Sequence, residues 1–147
     1  ELLKGEAVYQ DMTNAVFRER EGKDVPLITP YQAGRNLARL ALNHDFTLYE
    51  FFQTDVRGHK QQWDEAVEVI EQVDELIGGV LEVQEETGQE FTCLLTSDHG
   101  NSEDLSVKGH TLNPVPALLW SNRPLPPVSW RRLEEVTPTI VNDLMAR

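Results

Sequence analysis

Five side chains able to ligate a divalent cation fall in two short segments. Asp55 and His59 lie in Asp55-Val-Arg-Gly-His59, and Asp98, His99 and His110 lie in the stretch 98–110. Carboxylate and imidazole are ligands of divalent metal sites, and both segments follow apolar runs that read as strands. The carboxyl edge of such strands is where open α/β sheets place their active sites. Asp55 and His59 are four residues apart, so one helical turn or a tight loop can aim both at one ion. Asp98 and His99 are adjacent. Their side chains either diverge or both reach one ion across a sharp backbone turn, which Gly100 and Gly109 permit. Taken singly, each is an ordinary hydrogen-bonding loop residue; as a set of five they favour a metal site. Two divalent ions close together clamp a phosphoryl group and activate a nucleophile, and that chemistry needs several carboxylates and neutral imidazoles from different strand ends. His44 has no such neighbours and reads as a helix-end residue, a position that suits a cation. Thr96, Ser97, Ser102 and Ser106 lie nearby without a specific activating arrangement, so no catalytic nucleophile is assigned in this chain. Arg57 and Lys108, inside the two clusters, could meet substrate anions, although solvent-exposed roles are the simpler reading.

The elements that must position these residues are legible from periodicity and punctuation. Phe91–Leu95 and Pro116–Trp120 are short apolar runs that read as buried strands on either side of a polar loop. Asp45–Gln53 reads as a third strand, too apolar for an exposed edge, with 54–59 as the loop at its carboxyl end; Gly58 there permits a tight turn. Residues 2–20 have helix-forming composition and 21–24 form a turn. Val25–Ile28 is a candidate short strand. Thr29-Pro30-Tyr31-Gln32 carries an N-cap, a first-turn proline and a capping-box glutamine, opening a helix that ends near Asn43-His44. Trp63, Val67, Ile70, Val73, Ile77 and Val80 recur every three or four residues, predicting a helix over 60–86 whose glutamates form a solvated face. Gly78-Gly79 interrupts it, which implies a kink or close helix packing. Residues 122–129 are a proline-rich surface loop, Trp130–Glu135 a turn of helix, and Thr137-Pro138 the start of a last helix. The order predicts an α/β fold, a mostly parallel sheet with helices on both faces.

Composition sets limits. The chain has 147 residues, 39% hydrophobic and 26% charged, as in an ordinary globular domain with a core of its own. Its net charge of −12 argues against nucleic acid and anionic membrane as partners. An anionic substrate is admissible only where metal ions or local basic groups reverse the field. The single Cys93 excludes a disulfide framework and fits a reducing, cytoplasmic setting. No apolar run approaches a membrane span and no signal peptide is visible.

Four segments carry a family resemblance. Asp55-Val-Arg-Gly-His59, Thr96-Ser-Asp-His-Gly-Asn101, His110-Thr111 with Asn113-Pro-Val-Pro116, and Val136-Thr-Pro-Thr-Ile140 together resemble the carboxyl-terminal part of the cofactor-independent phosphoglycerate mutases, members of the alkaline phosphatase superfamily. The resemblance implies an alkaline-phosphatase-like α/β domain with two divalent ions (manganese, magnesium or zinc) acting on a small phosphorylated substrate. On the family pattern Asp55, His59 and His110 would hold one ion, and Asp98 and His99 the other. In the family the second ion also takes an Asp and a nucleophilic Ser from an amino-terminal segment that has no counterpart here. The expectation is therefore that 1–147 is the carboxyl-terminal part of a phosphomutase or phosphatase domain, incomplete at its amino-terminal side and inactive alone. The loop between His99 and His110 is shorter than in typical mutases, and their inserted substrate-binding domain is absent. The competing expectation is a non-catalytic metal-binding domain with a structural or partner-binding role.

Overall fold

The computed structural model describes residues 1–146. Five α-helices and one two-stranded sheet follow in the order α1 (Ala15–Glu21), α2 (Pro30–Ala41), α3 (Gln53–Lys60), α4 (Trp63–Thr87), β1 (Thr92–Thr96), β2 (Ala117–Ser121) and α5 (Val136–Met145), with single 3-10 turns at Leu2–Lys4 and Leu133–Glu135.

Helix α4 is the spine, and α2 packs along it because of two glycines. A Cβ on Gly34 would lie 1.9 Å from the Leu76 carbonyl oxygen, and one on Gly79 would lie 2.1 Å from that of Tyr31. Close helix packing is thus the reason for glycine at 79, one of the two explanations the sequence admits, while α4 runs unbroken over 25 residues. The core formed there comprises Met12, Ala33, Ala38, Leu76, Val80 and Val83, with Tyr49, Phe51, Phe91, Cys93 and Trp120 packed against it. Outside it, the Arg35 guanidinium donates to both Glu86 carboxylate oxygens, at 3.1 and 2.8 Å, and also pairs with Glu82. The expected capping box opens α2: Gln32 N–H donates to Thr29 Oγ1 at 3.1 Å, and Thr29 N–H donates to Gln32 Oε1 at 3.0 Å.

The buried stripe of α4 is rotated from the expected one. Ala66, Val69, Leu76, Val80 and Val83 face inward, whereas Trp63 and Ile70 are exposed. Gly88, with φ 62°, ends the helix, and Gln84 Nε2 donates to the Phe91 carbonyl at 2.9 Å, tying α4 to the start of β1.

The parallel sheet is not what the structure contains. β1 and β2 pair antiparallel, from Thr92↔Ser121 to Thr96↔Ala117. The physical reason is the connection. A parallel pair needs a crossover, usually a helix, and residues 97–116 hold none; they form a loop that doubles back on itself through an isolated bridge between Gly100 and Thr111. The segment expected as a strand over 45–53 is also corrected. Residues 46–52 form no strand and lead into α3 without a ladder partner, Tyr49 and Phe51 packed against the core and Phe46 and Leu48 exposed. A strand is defined by its neighbour's hydrogen bonds, and none of the described residues supplies them.

Other local expectations shift in the same way. The helix over 2–20 is reduced to α1, because positive φ at Met12 and Asn14 breaks the helical path. The Asp11 carboxylate locks that break, accepting from Asn14 N–H at 3.0 Å and Val16 N–H at 2.8 Å. Val25–Ile28 forms no strand. Thr137 is not the N-cap of α5, which begins at Val136 directly after the 3-10 turn. Among the described residues no helix is long and apolar enough to cross a membrane.

Candidate metal centre

The site is built on one turn of helix and one loop. Residues 54–59, expected as a loop, belong to α3, so Asp55 and His59 stand one above the other on the same helix face. Gln61, with φ 56°, ends this helix. Gly58 is buried on the side where the 97–116 loop rests: a Cβ there would fall 1.3 Å from Asn101 Oδ1. Its purpose is this close approach rather than the tight turn expected for it.

Two side-chain bonds from the α3 region hold the loop in place. Gln61 Nε2 donates to the Leu105 carbonyl at 2.8 Å, and the His59 ring meets the Lys108 carbonyl through Nδ1 at 2.7 Å. The loop closes through Thr111 N–H, which donates to the Gly100 carbonyl at 2.9 Å. His110 is thereby laid over α3.

The outcome is a compact donor set. One ligand atom each from Asp55, His59 and His110 lies within 4.8 Å of the other two. Asp55 Oδ1 is 3.4 Å from His59 Nε2 and 3.4 Å from His110 Nε2. Two ligand atoms bound at about 2.1 Å in tetrahedral geometry are themselves about 3.4 Å apart, so the spacing is that of neighbouring ligands. Two further observations fit a cation. Asp55 Oδ1 is buried with no hydrogen-bond donor. A carbonyl oxygen can only accept, so the His59 Nδ1 facing Lys108 carries a proton, and in the neutral ring Nε2 is then the nitrogen that presents its lone pair to the cluster.

His99 joins the edge of this group, its ring stacked on that of His110 at a centroid distance of 3.6 Å and 17°. Asp98 is exposed, with Oδ2 3.5 Å from His99 Nε2. The structure thus gathers Asp55, His59 and His110 into one set and leaves Asp98 and His99 as an adjoining pair. Among the described residues no second group of three such ligands is so arranged. His44 lies in the turn after α2, outside the cluster. Arg57 is engaged by Glu65 at 2.7 Å. Of the nearby hydroxyls, Ser97 donates to the His99 carbonyl at 2.8 Å and Ser106 to Asp104 at 2.6 Å.

Two residues that periodicity and ligand type do not mark organise the loop. Asn101 is buried against Gly58. Glu103 accepts from Asn101 N–H at 2.5 Å, from Asn113 Nδ2 at 3.0 Å and from the Thr111 hydroxyl. The Thr111 hydroxyl first, with the amide donors behind it, holds the Glu103 carboxyl below the usual carboxylate range. The only sequence signal is an acidic residue among loop asparagines and threonines, which any solvated loop shares.

The carboxylate–imidazole triad thus lies at the junction of a helix and a strand-end loop, a donor set that could hold a divalent cation. Residues 7–147 match the family described as Metalloenzyme superfamily, and the chain belongs to that superfamily. Its curated relatives include the 2,3-bisphosphoglycerate-independent phosphoglycerate mutase of Colwellia psychrerythraea, 33% identical over 106 residues, which is 67% of this chain and 20% of that protein. The protein of the same name from Antithamnion sp. is 31% identical over 131 residues, 81% of this chain and 25% of the relative. That from Chromohalobacter salexigens is 40% identical over 74 residues, 50% and 14% respectively. The chain spans about a fifth of the length of such relatives. No solved structure matches it.

Proposed function

We propose that this chain is the metal-binding, carboxyl-terminal part of a divalent-metal-dependent phosphoryl-transfer domain, a phosphomutase or phosphatase, acting on a small phosphorylated substrate such as a phosphoglycerate. Asp55, His59 and His110 hold one ion. Asp98 and His99 provide part of a second site, completed, with the nucleophile, by a segment outside these residues. The observation that carries the reading is the ligand-like 3.4 Å spacing of Asp55 Oδ1 from both histidine Nε2 atoms.

A divalent ion at this position supplies Lewis-acid polarisation of a phosphoryl oxygen. The chain's own residues do the rest. Asp55 offers a negative donor, and the Lys108 carbonyl holds His59 in the tautomer that binds a cation. His99, stacked on His110, keeps the second pair beside the first. A chain of net charge −12 repels an anionic substrate, and divalent cations held by these residues would reverse the field where it must bind.

A purely structural metal site is the second reading, favoured by the exposure of Asp98 and by the lack, among the described residues, of a second group of three ligands separate from the first. Elemental analysis after Mn²⁺ loading and desalting tests both. One ion per chain, lost in His110→Ala, supports the triad; no bound ion in the folded chain refutes it. Release or transfer of phosphate by the longest gene product, abolished by Asp98→Asn, supports catalysis. A metal-loaded gene product without turnover supports the structural role.

A further inference from the structure

The loop that carries His99 and His110 is tied across its neck by one carboxylate. Glu103 takes hydrogen bonds from both arms: Asn101 N–H, two residues after His99, on Oε2 at 2.5 Å, and on Oε1 the hydroxyl of Thr111, next to His110, and Asn113 Nδ2 at 3.0 Å. The Thr111 hydroxyl itself accepts from Asn113 N–H at 3.2 Å. The arms share one further bond here, Thr111 N–H to the Gly100 carbonyl. Gly100 leaves room for the carboxylate, since a Cβ there would sit 2.7 Å from Glu103 Oε1. Donors thus meet both oxygens of one anion, and each bond from a neutral donor to a carboxylate is stronger than its neutral counterpart.

We propose that Glu103 is a positioning residue for the metal centre, setting the separation of the two loop arms and so the placement of the His110 and His99 imidazoles over Asp55 and His59. It touches no ligand itself; it acts through the backbone on either side of His99 and His110. The inference rests on the metal-binding reading of the triad. It predicts that Glu103 matters more to ion affinity and ligand geometry than to folding, because the α2–α4 core lies elsewhere in the chain.

The test uses the full chain with Co²⁺ alone as probe. Affinity and the visible ligand-field spectrum are read together with the imidazole ¹H–¹³C cross-peaks of the metal-free protein. In Glu103→Gln an amide nitrogen must face one of the donors, so Co²⁺ affinity falls about 10- to 100-fold, as for other outer-shell changes. The spectrum at saturation changes, and the His110 and His99 cross-peaks move while that of His44 does not. Thr111→Val, which preserves side-chain shape, gives the same pattern should Glu103→Gln fold poorly. Thr111→Ser, which keeps the hydroxyl, retains wild-type binding, as does the helix control Glu75→Gln. Wild-type affinity, spectrum and cross-peaks in both Glu103→Gln and Thr111→Val would overturn the proposal alone. A wild-type chain that takes up no Co²⁺, or a His110→Ala chain that takes it up equally well, would overturn the metal reading and the proposal with it.

Discussion

Substituting Gly58 by alanine should separate the metal centre from the fold. A Cβ there would sit 1.3 Å from Asn101 Oδ1, 2.5 Å from Asn101 Cγ and 3.2 Å from the Ser102 backbone nitrogen. Ordinary contact between such atoms is about 3.5 Å, so the Asn101 carboxamide must retreat by about 2 Å. Asn101 is buried and its backbone is tied to Glu103, so the loop moves with it. That movement carries His110 away from Asp55 Oδ1, now 3.4 Å distant. Overpacking costs about 1–3 kcal/mol, and alanine in place of glycine within a helix offsets about 1 kcal/mol of that. Global stability therefore falls by about 0–2 kcal/mol, a few degrees in Tm, while Mn²⁺ or Co²⁺ affinity falls at least about tenfold. Thermal denaturation and calorimetric titration read the two effects. The double variant Gly58→Ala/Asn101→Ala removes the clashing atoms, leaving the Ser102 nitrogen as the nearest contact of the new Cβ. It should recover most of the affinity, a coupling that a double-mutant cycle measures. Undiminished affinity in Gly58→Ala, or no recovery in the pair, would refute the argument that this glycine seats the ligand loop.

The adjacent glycines of α4 should respond oppositely. Gly79→Ala meets the Tyr31 carbonyl and should destabilise by about 1–3 kcal/mol, whereas Gly78→Ala, whose Cβ finds the Tyr31 ring at 3.7 Å, should be neutral or stabilising by up to about 1 kcal/mol in thermal denaturation. Burial pushes the Cys93 thiol up to about 12, so a thiol reagent at pH 8 should label Cys93 much more slowly in the native chain than in the unfolded one, and equally fast labelling of the native chain would contradict its packing. The Glu103 carboxyl, held below its ordinary value of 4.5, favours the closed loop above that value and loses this contribution as pH falls through its lower folded-state value; a ¹³C titration of the carboxyl should show a midpoint below 4.5 that returns toward 4.5 in Thr111→Val.

Much of this molecule is legible locally. The capping box of α2, the extent of α4 and the glycine stop at Gly88 follow from interactions within a few residues, and they appear where the residue types demand them. The ligand types are legible for the same reason, since Asp55 and His59 share a helix face at their spacing. The fate of 45–53 is different. Its apolar content makes it strand-like, but pairing depends on a neighbour, and without one among the described residues the segment forms no strand. Sheet direction is equally non-local: β1 and β2 carry no mark of antiparallel pairing, which follows from a loop that returns without a crossover helix.

For the site, residue type and local spacing marked which side chains could bind a cation, the carboxylates and imidazoles that cluster just after apolar runs. Tertiary structure decided which of them meet. Asp55 and His110 are brought within 3.4 Å by a loop that rests on Gly58 and is pinned through the Lys108 and Leu105 carbonyls, while Asp98 is left facing solvent. The physical reason is range: chemical type and helical phase are properties of neighbouring residues, whereas this contact joins positions far apart in the chain and exists only once the loop has docked.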